Sequence, residues 1–497
     1  MELQFKKSLL PCLDPVLREI QNQEQTQELK LPDGMPDVGR VFSAWGQGIL
    51  RSKQWHDGIV TLSGGMLVWV LYAPEDGTQV RCIDSWIPFQ LRWDLDQEIP
   101  EGTLRASLAP RFVDARSVSA RKIMVRSGLS AMVQALSPME AEIFAPEQLP
   151  EGVQLLRNTY PVRLPREAGE KSFLLEEDLT LPDSVPEPEK LLYYRLQTKL
   201  SDQKVLGNKL VFRGTGILHV LYISEEGQLF SWDFEVPFSQ YADLQNSYSQ
   251  EAQANVMLGT TALELDLDEE AQLQLKCSLV GQYVVDDLQM LELTQDGYFP
   301  GREMDIQWED LTLPAILERR QQMLSGEQAI PGDVTIVTDA QLFLDGPRQR
   351  RTESGVSLML SGTLQLLYYG EDHSLHGINT RYEAQHSVRC DDHCQLDLQL
   401  MAPVVEVQPG NPSAKLEIPV AMTVTGGSPI PMMTAAQLGQ PRQLDPQRPS
   451  LILQRAGTQG LWDIAKRCDS TMESIRKANN LETDPVPGQM LLIPITG

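Results

Sequence analysis

The chain is short of basic residues, of long apolar runs and of clustered cysteine. Lys and Arg number 42 against 68 Asp and Glu, a net charge of −26 over 497 residues. Nucleic-acid binding needs Lys and Arg to displace counterions from phosphates, and anionic membranes attract the same side chains, so both partner classes are disfavoured. No stretch approaches the roughly 20 apolar residues of a spanning helix; the longest candidate, Met66–Tyr72, is strand-sized. Met1–Cys12 has no apolar core and no small-residue cleavage site, so export is not expected. The cysteines at 12, 82, 277, 390, 394 and 468 are scattered, which reads as thiols in a reducing compartment and not as a disulfide framework. No nucleophile elbow, phosphate loop, dinucleotide fingerprint or HExxH is present, so neither catalysis nor a cofactor is expected.

What the chain does have is itself, copied at a period of 150 residues. Leu31-Pro32-Asp33-Gly34-Met35-Pro36-Asp37 returns as Leu181-Pro182-Asp183-Ser184-Val185-Pro186-Glu187. Gly64, Tyr72 and Gly77 return as Gly214, Tyr222 and Gly227. Leu313-Pro314 and Gly362–Tyr368 are a third, degraded copy. Such repetition points to a scaffold or binding array.

Each copy reads as β. Copy one shows Ile59–Leu62, Met66–Tyr72, a turn at Pro74–Gly77 and Trp86–Phe89; later strands are Leu104–Val113 and Arg121–Arg126. Copy two shows Leu210–Phe212, Ile217–Tyr222, a turn at Ser224–Gly227 and Glu235–Phe238, then the alternating pair Leu263–Leu267 and Leu273–Cys277. Copy three shows Val356–Leu360, Leu364–Tyr368, a turn at Gly370–His373 and a weak return at Ile378–Tyr382, then Leu396–Leu400 and Lys415–Val420. Short β-branched runs joined by Gly/Asp turns indicate sandwiches or partly open barrels. The LPDxxP element lacks two N–H donors and is an extended entry segment; a short helix fits 12–24. Prolines 146, 150, 161 and 165 suggest one boundary, and 296–312 another. The expected layout is 1–150, 151–300 and 301–439 as three modules, 440–450 as a Pro-rich linker, and 451–497 as a separate tail. That tail holds five basic and five acidic side chains, so the whole charge excess lies before it.

Within the repeats the tempting residues are weak. The equivalents of His219, three before the Tyr, are Trp69 and Gln365; a position that takes Trp, His and Gln is a strand face, not a general base. His386, Cys390, His393 and Cys394 are the densest potential zinc ligands, yet their spacing matches no common structural zinc pattern, and a polar inter-strand loop is the preferred reading. Glu75-Asp76, Glu225-Glu226 and Glu371-Asp372 recur at hairpin tips, where neighbours point apart, and serve turn chemistry and solubility. Tyr72, Tyr222 and Tyr368 each end an apolar strand and read as core or rim aromatics.

The tail reads β-α-α-β. Leu451–Leu453 is a strand. Leu461, Ile464, Ala465 and Cys468 share one helical face. Ser470-Thr-Met-Glu473 reads as a capping box, and Met472, Ile475 and Ala478 form the inner face of the second helix. Leu461–Ala465, Ile475–Leu481 and Pro487-Gly-Gln489 with Leu491, Ile493 and Pro494 together resemble a LysM domain. The resemblance implies N-acetylglucosamine-polymer binding through two loops. Their residues are Thr458, Gln459, Gly460, Leu461 and Trp462, then Asn480, Leu481, Glu482, Thr483, Asp484 and Val486. Gly460 takes the place of the family's capping hydroxyl, and Gly is a tolerated N-cap. Trp462 is either a support for the helices or a contact rim.

The repeats resemble a second family. LPDxxPD, then Gly64, Tyr72 and Glu75-Asp76-Gly77, then Ile87-Pro88-Phe89, then Ser119–Ile123 look like the SPOCS domain of spore-forming Firmicutes. Copy one fits well, copy two moderately and copy three poorly. The two resemblances together imply a non-enzymatic scaffold of spore-envelope assembly. Its LysM tail would dock onto a SpoIVA-like coat-morphogenesis ATPase and its repeats onto other envelope proteins, in the mother-cell cytoplasm at the forespore surface. The alternative is a peptidoglycan-binding protein of wall or cortex.

Overall fold

The computed structural model describes residues 2–77, 79–353, 355–389, 394–442 and 449–496. Strand accounts for 74% of it and helix for 3%. The chain is mainly β, ending in a small β-α-α-β tail.

One wiring scheme occurs three times. In copy one a long strand, Glu2–Lys30, leads into a meander of Val38–His56, Ile59–Pro74 and Arg81–Asp94. Thr103–Ser119 and Lys122–Gln148 follow, and the last of these returns to pair with the first, from Lys30↔Lys122 to Gln4↔Gln148. Copy two repeats this with Gln154–Leu179, then Pro188–Leu206, Lys209–Ser224 and Leu229–Asp243, then Gln253–Leu267 and Leu273–Tyr298. Copy three does so with its outer strands interrupted: Arg302–Leu311 and Ile316–Ala329 stand for the first, Ser413–Gly426 and Ile430–Pro441 for the last. The meander of each copy packs on its other sheet. In copy one Val60, Val68 and Ile87 meet Leu29, Ala106, Val125 and Val133 in one apolar core. Each copy is thus a sandwich of two antiparallel sheets.

The local expectations need several corrections. Residues 12–24 are strand, not helix, paired with 128–139. A helix there would orphan the ladder of Lys122–Gln148, so tertiary pairing overrides local preference. Pro161 and Pro165 lie inside strand Gln154–Leu179 and mark no linker. That strand is at the edge of its sheet, where a missing N–H costs little. Ile59–Leu62 and Met66–Tyr72 are one strand, as are their counterparts in copies two and three. The weak return of copy three is a full strand, Leu375–Val388.

The glycines that interrupt those runs have a job. A Cβ on Gly64, Gly214 or Gly362 would collide with the carbonyl oxygen of Ile49, Lys199 or Phe343 on the facing strand. In copies one and two a bulge sits there, between Leu50 and Ser52 and between Leu200 and Asp202. The strand continues because glycine lets the bulged partner close in.

The copies then pack on each other in a closed ring. The outer faces of the three meanders meet at Trp45, Trp69, Leu71, Tyr193, Leu221 and Leu367. The outer halves of the long strands meet at a second cluster, in which Cys12 comes from copy one, Leu164 and Leu293 from copy two, and Leu313 and Met432 from copy three. The last strand of the third copy also pairs with the first strand of the chain, at Leu3↔Ala436.

Candidate functional site

The candidate residues gather at the tail loops and at the axis of the ring. Helix α1 is Leu461–Arg467 and helix α2 is Met472–Asn479, flanked by the strands Leu451–Arg455 and Met490–Pro494. Leu461, Ile464, Ala465 and Cys468 of α1 are buried against Ile475, Leu491 and Ile493. Gly460 caps α1 with no side-chain hydrogen bond. The cap of α2 is Thr471, whose hydroxyl accepts Ser474 N at 3.0 Å. Ser470, the expected cap, instead donates to Pro494 O. Asn480 closes α2 in the left-handed region, φ 51°. Asn479 then holds the returning strand: its Nδ2 donates to Leu492 O at 2.6 Å and its Oδ1 accepts Leu492 N at 2.7 Å.

The two loops differ in what they can offer a ligand. Thr458, Gln459 and Gly460 are exposed, with Gln459 Oε1 accepting from Arg467 Nη1 at 2.7 Å. Asn480, Glu482, Thr483, Asp484 and Val486 are exposed and Leu481 is half-buried. Asp484 accepts from Arg476 at 3.2 Å. Two residues of the first loop are engaged within the protein. Leu461 is 1% exposed and belongs to the core. Trp462 turns toward the body: its Nε1 donates to Asp296 Oδ2 at 2.8 Å and its ring meets Tyr298 edge-on, centroids 4.9 Å apart. Lys466 Nζ grips the same carboxylate at 2.7 Å. Tyr298 is buried inside the tail's own core, and its hydroxyl donates to Ser470 O at 2.9 Å. Asp296 and Tyr298 come from copy two, 164 or more residues away, and no tail motif names them.

Residues 461–494 match the LysM domain family. The match supports carbohydrate binding, of the peptidoglycan kind, by this tail. No curated protein and no solved structure matches the chain. Among the described residues no helix is long and apolar enough to cross a membrane.

The axis of the ring explains His219. In register, Trp45↔Trp69, Arg195↔His219 and Gln341↔Gln365 are the same pair in three copies. His219 does face outward from its strand, but it is buried because a neighbouring copy covers it. At the centre lies Asp339 of copy three. It accepts Trp45 Nε1 of copy one at 2.6 Å and Arg195 Nη1 of copy two at 2.8 Å. His219 Nδ1 meets Asp233 Oδ1 at 2.6 Å, and its Nε2 lies 3.1 Å from Asp339 Oδ1, off hydrogen-bond alignment and so an ion-pair contact. Burial and Arg195 push the His219 pKa down, but Asp339 and Asp233 outweigh them and the net shift is upward. Burial opposes ionisation of Asp339, yet Arg195 and His219 hold its carboxyl well below the usual range. Trp45 and Arg195 reach Asp339 from other copies, while His219 Nδ1 is held by Asp233 of its own copy, so the network ties the copies together.

The remaining candidates fall in place. The paired carboxylates occupy hairpin tips, where Gly77 and Gly227 have positive φ and His373 adopts φ 56° in copy three. His386 lies on strand Leu375–Val388 and Cys394 begins Cys394–Leu400, while Cys390 and His393 lie outside the described residues. Tyr72 and Tyr222 are more than aromatics: their hydroxyls donate to Pro36 O at 3.2 Å and Pro186 O at 3.0 Å, pinning each copy's LPDxxP segment. In copy one Arg121 adds donations to Met35 O and to Pro32 O at 2.8 Å.

Proposed function

We propose that this chain is a non-enzymatic scaffold whose acidic three-lobed body presents one LysM tail as its ligand-binding head. The ligand class best supported is a polymer containing N-acetylglucosamine, as in peptidoglycan. The observation that carries this reading is the LysM match over 461–494, together with exposed loops at 458–460 and 480–486. The amide, hydroxyl and carboxylate groups of these exposed loops can hydrogen-bond saccharide hydroxyls. Co-sedimentation of the full chain with purified sacculi tests it. Binding that drops at least tenfold in a variant carrying Thr483→Ala and Asp484→Ala supports the reading; a chain that stays in the supernatant refutes it.

A second reading is favoured by the tail's first loop, where Trp462 is spent on the body and one contact of the usual glycan face is withdrawn. The order of three repeats before one LysM resembles the clostridial spore morphogenesis protein SipL. On this reading the tail docks onto a SpoIVA-like coat-morphogenesis ATPase in the mother-cell cytoplasm, at the forespore surface. The repeats would contact other envelope proteins. Co-purification from sporulating cells, with and without residues 451–497, decides it. Equal recovery of the ATPase without the tail refutes it.

A further inference from the structure

The hairpin of the tail has one closed edge and one open edge. Strand Met490–Pro494 is covered on its outer side by Asn479, which bonds both N–H and C=O of Leu492. Among the described residues strand Leu451–Arg455 pairs with Met490–Pro494 alone. Its even-numbered residues face that partner: Ile495 N donates to Ser450 O at 3.0 Å and Ala456 N donates to Gln489 O at 2.8 Å. In an antiparallel pair the intervening residues point their N–H and C=O the other way. The backbone groups of Leu451, Leu453 and Arg455 are therefore directed outward from the sheet edge.

The same strand is apolar where water should be. Leu451, Leu453 and Arg455 share the outer face with Met490 and Leu492, and Leu453 is 63% exposed. Five of the nineteen large apolar side chains exposed in the described residues lie after residue 450. Edge strands are ordinarily blunted by charge, proline or a covering loop, because an open apolar edge is a template for another strand. Arg455 ends the row, exposed and with no salt bridge among the described residues. It is a positive charge on the face in a tail of zero net charge.

We propose that Leu451–Arg455 accepts an extended segment of a partner protein as an added strand. The segment is apolar at alternate positions, to lie along Leu451 and Leu453, and carries a carboxylate opposite Arg455. Main-chain hydrogen bonds supply affinity and the side-chain row supplies selectivity. None of the saccharide-loop residues takes part, so this surface stands apart from glycan binding.

The test uses the full chain and a labelled heptapeptide, Glu-Thr-Val-Thr-Val-Thr-Glu, which places a carboxylate near Arg455 in either strand direction. A control peptide has proline in place of the central threonine and of the valine after it, so that a ladder N–H is lost in either strand direction. Fluorescence anisotropy should show at least tenfold weaker binding for the control peptide and for the chain variants Leu453→Pro and Arg455→Glu. The N–H that Leu453→Pro deletes points away from Met490–Pro494, and the substitution also trims the apolar row. Arg455→Glu alters an exposed side chain and keeps the test valid should the proline variant misfold. Hydrogen exchange at 451–455 should slow on peptide addition, and sacculus binding should be unchanged in both variants. Equal affinity for the two peptides, or a folded Leu453→Pro that binds as the parent does, overturns the proposal. So does a concentration-dependent dimer abolished by Leu453→Pro, since the edge would then belong to a second copy of the chain.

Discussion

Asp339→Asn removes the charge at the centre of the ring without changing its shape. The carboxylate is 4% exposed and accepts from Trp45 and Arg195 while facing His219. An amide has one acceptor oxygen, so its NH2 must confront either the indole N–H or the guanidinium. Arg195 would be left buried without its counter-charge. Breaking a buried pair from one side costs about 3–5 kcal/mol. Spread over a cooperative body of this size, at about 2.1 cal/mol/K per residue, that is a fall in Tm of roughly 3–5 °C. The pH dependence is the sharper readout. His219 has a folded pKa above its unfolded value, near 6.5. Its contribution is fully present below about pH 6.5 and is lost as pH rises through the folded pKa. Asp339, depressed in the fold, contributes above its unfolded value near 3.9 and loses that only as pH falls. Between these limits the parent should therefore lose stability on going from mildly acid to mildly alkaline buffer, and Asp339→Asn should be flatter. Urea unfolding at a series of pH values, followed by tryptophan fluorescence, measures both. A variant within 1 kcal/mol of the parent, with the same pH profile, would sink the claim that this network joins the copies.

Three smaller effects follow from the same structure. Tyr222→Phe should cost about 1 kcal/mol, the net worth of its bond to Pro186 O, and should speed hydrogen exchange in 181–187. Gly214→Ala should cost about 1–3 kcal/mol because the new methyl meets Lys199 O; a neutral result in thermal melts would mean the bulge can open freely. Gly460→Asp meets open space and extended backbone at the start of α1, so it should stabilise the tail by a few tenths of a kcal/mol, read as slower amide exchange in 461–467.

The parts of the fold that were legible in the sequence are those written in local chemistry. Alternation in Leu263–Leu267 and Leu273–Cys277 marks half-exposed strands, and the leucines are the buried face of that pair. The α1 face of Leu461, Ile464, Ala465 and Cys468 is the buried one. What was hidden depends on partners far along the chain. Residues 12–24 contain Pro15, follow Pro11 and have a mixed pattern, and only the ladder with 128–139 makes them strand. Trp462 looks like a saccharide contact until Asp296 and Tyr298 arrive from another module. The one available signal was Lys466, one helical turn beyond Trp462, which puts an indole N–H and a cation on the same side of α1 and asks for a carboxylate.

Joining three copies in one chain changes what the axis can hold. In a trimer of identical subunits each axial position is occupied by three copies of one residue, and three arginines or three aspartates would repel. Here the equivalent positions diverge: Ser43, Tyr193 and Asp339 in one layer, Trp45, Arg195 and Gln341 in the next, Trp69, His219 and Gln365 beyond. One acid can therefore be served by one indole, one guanidinium and one imidazole, each from a stated copy. That arrangement fixes the order of the modules as well as their packing. Exchanging the 195 and 341 residues would place Gln beside His219 and Arg beside Gln365, so Asp339 would face a cation on its own strand two residues away in place of one from copy two. The ring would lose the Arg195–Asp339 bond between copies two and three, leaving His219 as the cation that copy two brings to Asp339. The divergence of the third copy is thus part of the binding between copies and not mere decay.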